Sequence, residues 1–292
     1  MFFSKKQILT SKSNLKGTNT MKKKIAIIGG NGLIGSILEA GLGDKYDITI
    51  LDKKVDNHPN HVEVDATDFE ELIHKIPADC NALVNLLNVK TKNDFKDVTQ
   101  FRKKTEIHFL ASFYIFRAAI ELGIAKVVYA SSNHVTDFYE NGGVSVFGRE
   151  ITVDDYPYSK SLYGTLKLAS ENIGHILAYE EENNLSVINL RIGSVRRNEV
   201  EDLQTNPRIN KTLLSHKDVI QLFDLAIQST VKFGTYYGVS DNKDKPWSTV
   251  NATRELGYVS KMNAQDVLEQ ADIKMDSSQP YYEDLENQNW LN

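Results

Sequence analysis

Two stretches of the chain carry residues able to move a proton. Ser131, Ser132, Asn133 and His134 follow an apolar run, and farther on Tyr163 and Lys167 stand four residues apart. On a helix, that spacing puts the phenol and the ammonium on one face. A phenol with a pKa near 10 is a poor base at neutral pH. A nearby cation favours the phenolate, which can then take a proton from a hydroxyl. A serine hydroxyl on an opposing loop can hold the oxygen that loses the proton and share its charge. The same pair also arises as a surface cation over a ring, so the flanking elements must decide between the two.

Those elements read as strand, glycine turn, helix. Residues 24–28 are apolar and β-rich. Gly29-x-x-Gly32-x-x-Gly35 follows, with Leu33 and Ile34 inside it, and a helical pattern runs to Leu42. A strand feeding a glycine turn that opens a helix is the context of a dinucleotide site. The turn lets backbone approach a pyrophosphate, and the helix N-terminus offers unpaired N–H groups. The next strand, residues 47–52, ends in Asp52. A carboxylate there accepts from both ribose hydroxyls and repels a 2′-phosphate, which favours NAD over NADP. Lys53 and Lys54 weigh the other way, and Asp52 could also serve as a plain loop cap.

A third strand is expected at residues 61–65. Asp65 then either reaches the adenine or caps the chain's exit, with Thr67 or Asp68 capping the next helix. A fourth strand at residues 81–87 brings Leu86 and Lys90 beside the cofactor, because ligands lie outside the carboxyl ends of such strands. The expected cofactor contacts are Gly29, Gly32, Leu33, Ile34, Gly35, Asp52, Asp65, Ala66, Leu86, Tyr163 and Lys167. Residues 98–122 repeat apolar positions at helical spacing, with His108 inside them as a structural histidine. A fifth strand covers residues 125–130, and a helix over residues 161–182 carries Tyr163 and Lys167. Strand–helix repeats without hairpin signals predict a Rossmann-like, doubly wound α/β sheet with parallel strands. An oxidised nicotinamide at its carboxyl edge adds a second positive charge near the phenol.

Composition is compatible with this. The 292 residues are 41% hydrophobic and 25% charged, with a net charge of -5, which argues against nucleic acid or an anionic membrane as partner. No apolar run nears the roughly 20 residues of a membrane span. Cys80 is the single cysteine, which excludes an internal disulfide framework and fits a reducing, cytoplasmic setting. His58 and His61 share a loop, but no further ligand cluster is legible around them, and no metal is expected. Residues 1–20 are basic, without an acid or an apolar period. They read as a disordered tail or an upstream start before Met21.

The motifs together resemble the extended short-chain dehydrogenase/reductase, or NAD-dependent epimerase/dehydratase, family. The resemblance rests on the glycine turn, Asp52, Asp65, the serine-bearing strand end and Tyr163-x-x-x-Lys167. Within the family, residues 130–135, Phe138-Tyr139, Leu162-Tyr163-Gly164 and residues 190–194 are most similar to the uronate dehydrogenases. That resemblance implies NAD-dependent oxidation of the anomeric carbon of a hexuronic acid to an aldarolactone. It implies Ser132, Tyr163 and Lys167 as the catalytic trio, and Asn133, His134 and Ser194 as substrate contacts. It extends to Arg208, seven residues before Ser215-His216, as a clamp on the sugar carboxylate. Leu33, Leu87, Asn88, Lys90 and Asp137 depart from the subgroup's pattern. Lys90 with Arg208 would equally suit a sugar phosphate. Arg191 is expected to anchor structure.

After residue 191 the rhythm breaks. We expect a dinucleotide-binding domain over residues 21–191 and a small substrate-side lid over residues 192–292, with helices near 215–227 and 248–256 and a strand at 234–239. Trp247 is read as packing, and a homo-oligomer remains open. The partner expected is a small sugar. Two other readings stand beside the dehydrogenase: a nucleotide-sugar epimerase or dehydratase, and a dinucleotide-sensing protein without catalysis. Retention of both Tyr163 and Lys167 argues against the last.

Overall fold

The computed structural model describes residues 22–89, 96–180 and 182–271. The basic N-terminal segment, Lys90 and the acidic C-terminal segment lie outside the described residues.

Seven parallel strands form one sheet. β1 (Lys23–Ile28) leads through the glycine turn into α1 (Leu33–Leu42), then β2 (Tyr46–Asp52) and β3 (His61–Glu63). α2 (Phe69–Lys75) returns the chain to β4 (Ala82–Asn85) on the other side of β1. α3 (Val98–Thr105), a π-helical turn (Glu106–Leu110) and α4 (Ala111–Glu121) lead to β5 (Lys126–Ser132), and α5 (Leu162–Tyr179) leads to β6 (Ser186–Ile192). β7 (Phe233–Gly238) closes the order β3-β2-β1-β4-β5-β6-β7, every neighbouring pair parallel. The order reverses between β1 and β4, so a crevice opens at their carboxyl ends, where a dinucleotide binds in such sheets.

Burial on both faces explains the continuous apolar runs of the central strands. One layer packs Leu38 and Leu42 of α1 with Leu222 and Phe223 of α8 (His216–Gln228) against Ile27, Val128 and Ile188. The other packs Ile115, Phe116 and Ala119 of α4 against Ile28, Leu83 and Val127. Side-chain caps set several helix starts: Asp68 accepts from Glu71 N, Asp97 from Thr99 and Gln100 N, and Ser161 from Gly164 N.

Three features differ from the sequence expectation. β5 runs on through Ser131 and Ser132, so both serines belong to the strand rather than to the loop. The helix expected over residues 98–122 is broken by the π turn. There the His108 carbonyl accepts from the hydroxyls of Ser112 and Ser170 at 3.0 and 2.7 Å, and side chains entering the ladder are a recognised cause of such breaks. Finally, the strand expected inside a separate lid is β7, paired with β6 along its whole length. The sheet therefore does not stop at Ile192. Smaller elements cover its carboxyl edge: α6 (Glu199–Thr205), α7 (Ile209–Thr212), α9 (Val250–Leu256) and α10 (Ala264–Gln270).

Candidate active site

The glycine turn lies at the crevice. Gly29 has φ +76°, a conformation L side chains rarely adopt, and a Cβ there would meet the backbone of Leu87 at 2.9 Å. Gly32 caps α1 without a side-chain hydrogen bond, so the first N–H groups of the helix are not taken up by a capping side chain. Leu33 and Ile34 pack into the core layer below, as does Leu86 at the end of β4. Asp52 ends β2, with Oδ2 accepting from Asn31 N at 3.0 Å. The acid thus braces the glycine turn from the position a ribose would approach.

Asp65 is tied down locally. Its Oδ1 accepts from Thr67 N and Oγ1 at 3.0 and 2.6 Å, and Oδ2 pairs with Lys53 Nζ at 2.5 Å. Despite partial desolvation, these partners pull its pKa down to about 2. These contacts form a local turn at Asp65, and the cap of α2 is Asp68. Ala66 beside it is buried. The pairing also engages Lys53, one of the two cations that weighed against NAD. A turn, a helix start without a side-chain cap and an acid at the end of β2, together at one crevice, fit a dinucleotide.

Ser132 and the helix of Tyr163 meet at the carboxyl end of β5. α5 abuts the 3-10 segment Asn133–Tyr139, because a Cβ on Gly164 would come within 2.1 Å of the His134 carbonyl. Only glycine allows that approach. The Tyr163 ring packs edge-on against His108 and His134, with centroids 4.9 and 5.7 Å away. Burial pushes its phenol up to about 12, partly offset by a hydrogen bond with Ser132. Lys167 is fully enclosed, and Nζ donates to Ala130 O at 2.8 Å and Leu87 O at 3.2 Å. Its Nζ lies 5.6 Å from the Tyr163 ring centre. Burial lowers Lys167 to about 7, with Glu171 pulling the other way. The expected lowering of the tyrosine by its lysine is therefore outweighed here: desolvation disfavours the charged form of each group.

Around this trio the substrate side is crowded with carboxylates. His134 Nδ1 donates to Asp137 Oδ2 at 2.8 Å, which fixes the ring's tautomer and angle. Asn133 is buried, and its Oδ1 accepts from Ser132 Oγ at 3.3 Å. Ser194 shares a hydrogen bond with Thr212 Oγ1 at 2.9 Å and accepts from Arg208 Nη1 at 3.3 Å. Arg208 is itself engaged by Glu140. Nε meets Oε1 at 3.1 Å and Nη2 meets Oε2 at 2.8 Å, with the two side chains 9% and 1% exposed. The fork expected to hold a substrate carboxylate is filled by a carboxylate of the chain. Glu140 also accepts from Gly143 N.

A second buried pair lies beneath α5. Arg191 binds Glu171 through Nε and Nη2 at 3.0 and 2.8 Å, Ser131 donates to the same carboxylate, and Nη1 donates to Tyr237 Oη at 3.2 Å. Arg191 anchors α5 to the sheet, in keeping with its sequence reading. Trp247 is buried and stacks on Tyr237, a packing role. Sequence reasoning missed Glu140 and Glu171 and treated His108 only as structural. Burial and the cations Lys167 and Lys104 hold His108 well below its ordinary pKa, hence neutral. No local sequence signal marks partners separated by 68 and 20 residues.

Residues 25–260 match the NAD dependent epimerase/dehydratase family. The chain belongs to that family. It is an NAD-dependent oxidoreductase. It is 51% identical over 247 residues to the uncharacterized protein YtbQ of Bacillus subtilis, covering 84% of this chain and 97% of that one. It is 26% identical to an NAD-dependent glucose-6-phosphate dehydrogenase of Haloferax volcanii, over 84% of this chain and 95% of the relative. It is likewise 26% identical to a uronate dehydrogenase of Pseudomonas syringae pv. tomato, over 84% of each. A uronate dehydrogenase from Agrobacterium tumefaciens, solved with NAD, shares the fold with a TM-score of 0.70 at 20% identity, over 88% of this chain and 91% of that one. Among the described residues of this family member, no helix is long and apolar enough to cross a membrane.

Proposed function

We propose that the protein oxidises C1 of a cyclic sugar to the lactone, with Tyr163 as the base. The observation that carries this reading is the convergence of Ser132, Tyr163 and Lys167 at the end of β5, beside the glycine turn. Bound NAD supplies the hydride acceptor and a positive ring that favours the phenolate. Gly29, Gly32, Gly35 and the start of α1 would hold its pyrophosphate, and Asp52 its ribose. Tyr163 Oη removes the proton of the C1 hydroxyl, and Ser132 Oγ holds that oxygen as charge develops. Lys167 stands behind the ring, locked by two carbonyls. His134, oriented by Asp137, and Asn133 face the sugar hydroxyls.

Uronate is the substrate that likeness to the uronate dehydrogenases favours, with Arg208 on the carboxylate and Ser194 beside it. The Glu140–Arg208 pair favours a second reading, a sugar with no carboxylate at that position. A uronate would have to part a buried bidentate pair and strand Glu140, and breaking such a pair costs about 3–5 kcal/mol. The geometry thus supports a neutral sugar over a uronate.

The test is NADH formation across neutral aldoses, sugar phosphates, galacturonate, glucuronate and UDP-sugars, with wild type and Glu140→Gln. A neutral aldose should be the better wild-type substrate, and Glu140→Gln should raise kcat/KM for uronates about tenfold. Wild-type preference for uronates would overturn the Glu140 argument and leave the dehydrogenase intact. Isomerised UDP-sugar without net NADH would overturn the dehydrogenase itself.

A further inference from the structure

At the opposite edge of the sheet, three potential metal ligands converge. Glu39 lies on α1, while His58 and His61 flank the start of β3. One ligand atom from each falls within 4.8 Å of the others. His61 Nε2 is 2.9 Å from Glu39 Oε1, and the His61 side chain is only 7% exposed. Its other nitrogen, Nδ1, has Asp56 Oδ1 at 2.5 Å, off the N–H line. The His58 and His61 rings lie 4.6 Å apart, tilted by 46°. These residues line a cleft with Tyr46, Asp47 and Ile48 at the start of β2. That is the amino edge of a parallel sheet, away from the glycine turn at its carboxyl edge.

We propose that Glu39, His58 and His61 bind a transition-metal ion of the Zn²⁺ class, with Asp56 supporting His61 from behind. The donor set is chemically apt, since two imidazoles and a carboxylate are a common three-ligand set for zinc. Ligand atoms about 2.0–2.1 Å from a tetrahedral ion stand roughly 3.3 Å apart. Glu39 and His61 are already near that separation, and His58 sits on an exposed loop from which a side-chain rotation can close the rest. A carboxylate accepting from the second nitrogen of a ligating histidine is the usual outer support of such sites, and Asp56 lies close enough to Nδ1 to take that part by rotating onto the N–H line. The competing account is an imidazolium at His61 bridging Glu39 and Asp56, and these partners do raise its pKa against the opposing pull of burial. That account explains the two carboxylates and gives the His58 ring only a long contact, Nδ1 accepting from Asn60 N at 3.4 Å. Two lysines of the cleft are engaged elsewhere, Lys22 on Gly43 O and Lys24 on Asp79. Sequence alone places the two histidines together. The fold supplies Glu39 from a helix that precedes them. Bound metal would pin the short edge strand β3 to α1, so its role is structural and separate from the proposed oxidation.

The experiment is calorimetric titration of Zn²⁺ into chelator-stripped full-length protein, followed by metal analysis of the dialysed sample. We expect one zinc per chain and a melting temperature that rises with zinc. His58→Ala, at an exposed position, should weaken zinc at least tenfold while leaving metal-free melting and NAD affinity unchanged. Asp56→Asn should weaken it by about tenfold, within the range of outer-shell changes. No uptake at micromolar zinc, or equal affinity in wild type and His58→Ala, would overturn the site. Loss of zinc-dependent stabilisation in His61→Ala, without a change in the metal-free NAD affinity, would support it.

Discussion

Two arginine–glutamate pairs of nearly the same geometry lie buried near the carboxyl edge of the sheet. Arg191 and Glu171 lock α5, the helix of Tyr163, to β6. Arg208 and Glu140 close off the substrate side, where the hairpin Glu140–Asn141/Val144–Ser145 meets α7. Both are bidentate and buried. The first is wired into the sheet through Ser131 and Tyr237. The second reaches Ser194, just beyond the carboxyl end of β6. Identical chemistry therefore serves rigidity in one place and, in our reading, substrate choice in the other. The surroundings of a buried ion pair decide its use, because the net energy of the pair itself is small once desolvation is included.

The comparison can be tested from the largest effect downward. Tyr163→Phe should lower kcat by about 10²–10⁴-fold, the span of general acid–base catalysis, far more than it changes NAD affinity in a fluorescence titration. That separates the chemistry from both pairs. Glu171→Ala should cost about 3–5 kcal/mol in urea unfolding, because it strands a buried guanidinium, and should lower the rates on all sugars alike. Glu140→Gln should shift the ratio of uronate to neutral-sugar turnover about tenfold, or ~1.4 kcal/mol. An equal shift from Glu171→Ala would erase the distinction between the pairs. The pH dependence comes next. Burial holds the free Tyr163 phenol at about 12, and the base is active when deprotonated. Log kcat/KM for oxidation should therefore rise with pH from neutrality upward, with a slope of up to ~1 per unit, and stay flat in Tyr163→Phe. The smallest effect is expected from Lys53→Ala. It removes an exposed pair with Asp65 worth about 0–1 kcal/mol, and the NAD-over-NADP preference should persist.

The cofactor half was legible because its determinants are local. A β-rich run, glycines at fixed spacing and an acid ending the next strand are set by backbone sterics and by short-range order. Tyr163 and Lys167 were legible for the same reason, as i and i+4 on one helix. The substrate half was not. Glu140 and Arg208 are 68 residues apart, and nothing near either one announces the other. Nor does the sequence show that residues 233–238 add a strand to the main sheet, since the break in rhythm after residue 191 resembles the start of a separate region. His108 reads as an ordinary helical residue until the π turn sets its ring against Tyr163.

By itself, then, the chain's sequence determined the parallel sheet, the glycine turn, an acid at the end of β2 and the placing of Tyr163 and Lys167 on one helix. These follow from periodicity, from backbone freedom at glycine and from charge at a strand end, all encoded within a few residues. Only the tertiary structure decided that Arg208 faces Glu140, that burial and not Lys167 governs the Tyr163 phenol, and that Glu39 joins His58 and His61. Those outcomes depend on which distant side chains are desolvated together, and desolvation is a property of the packed molecule rather than of any segment.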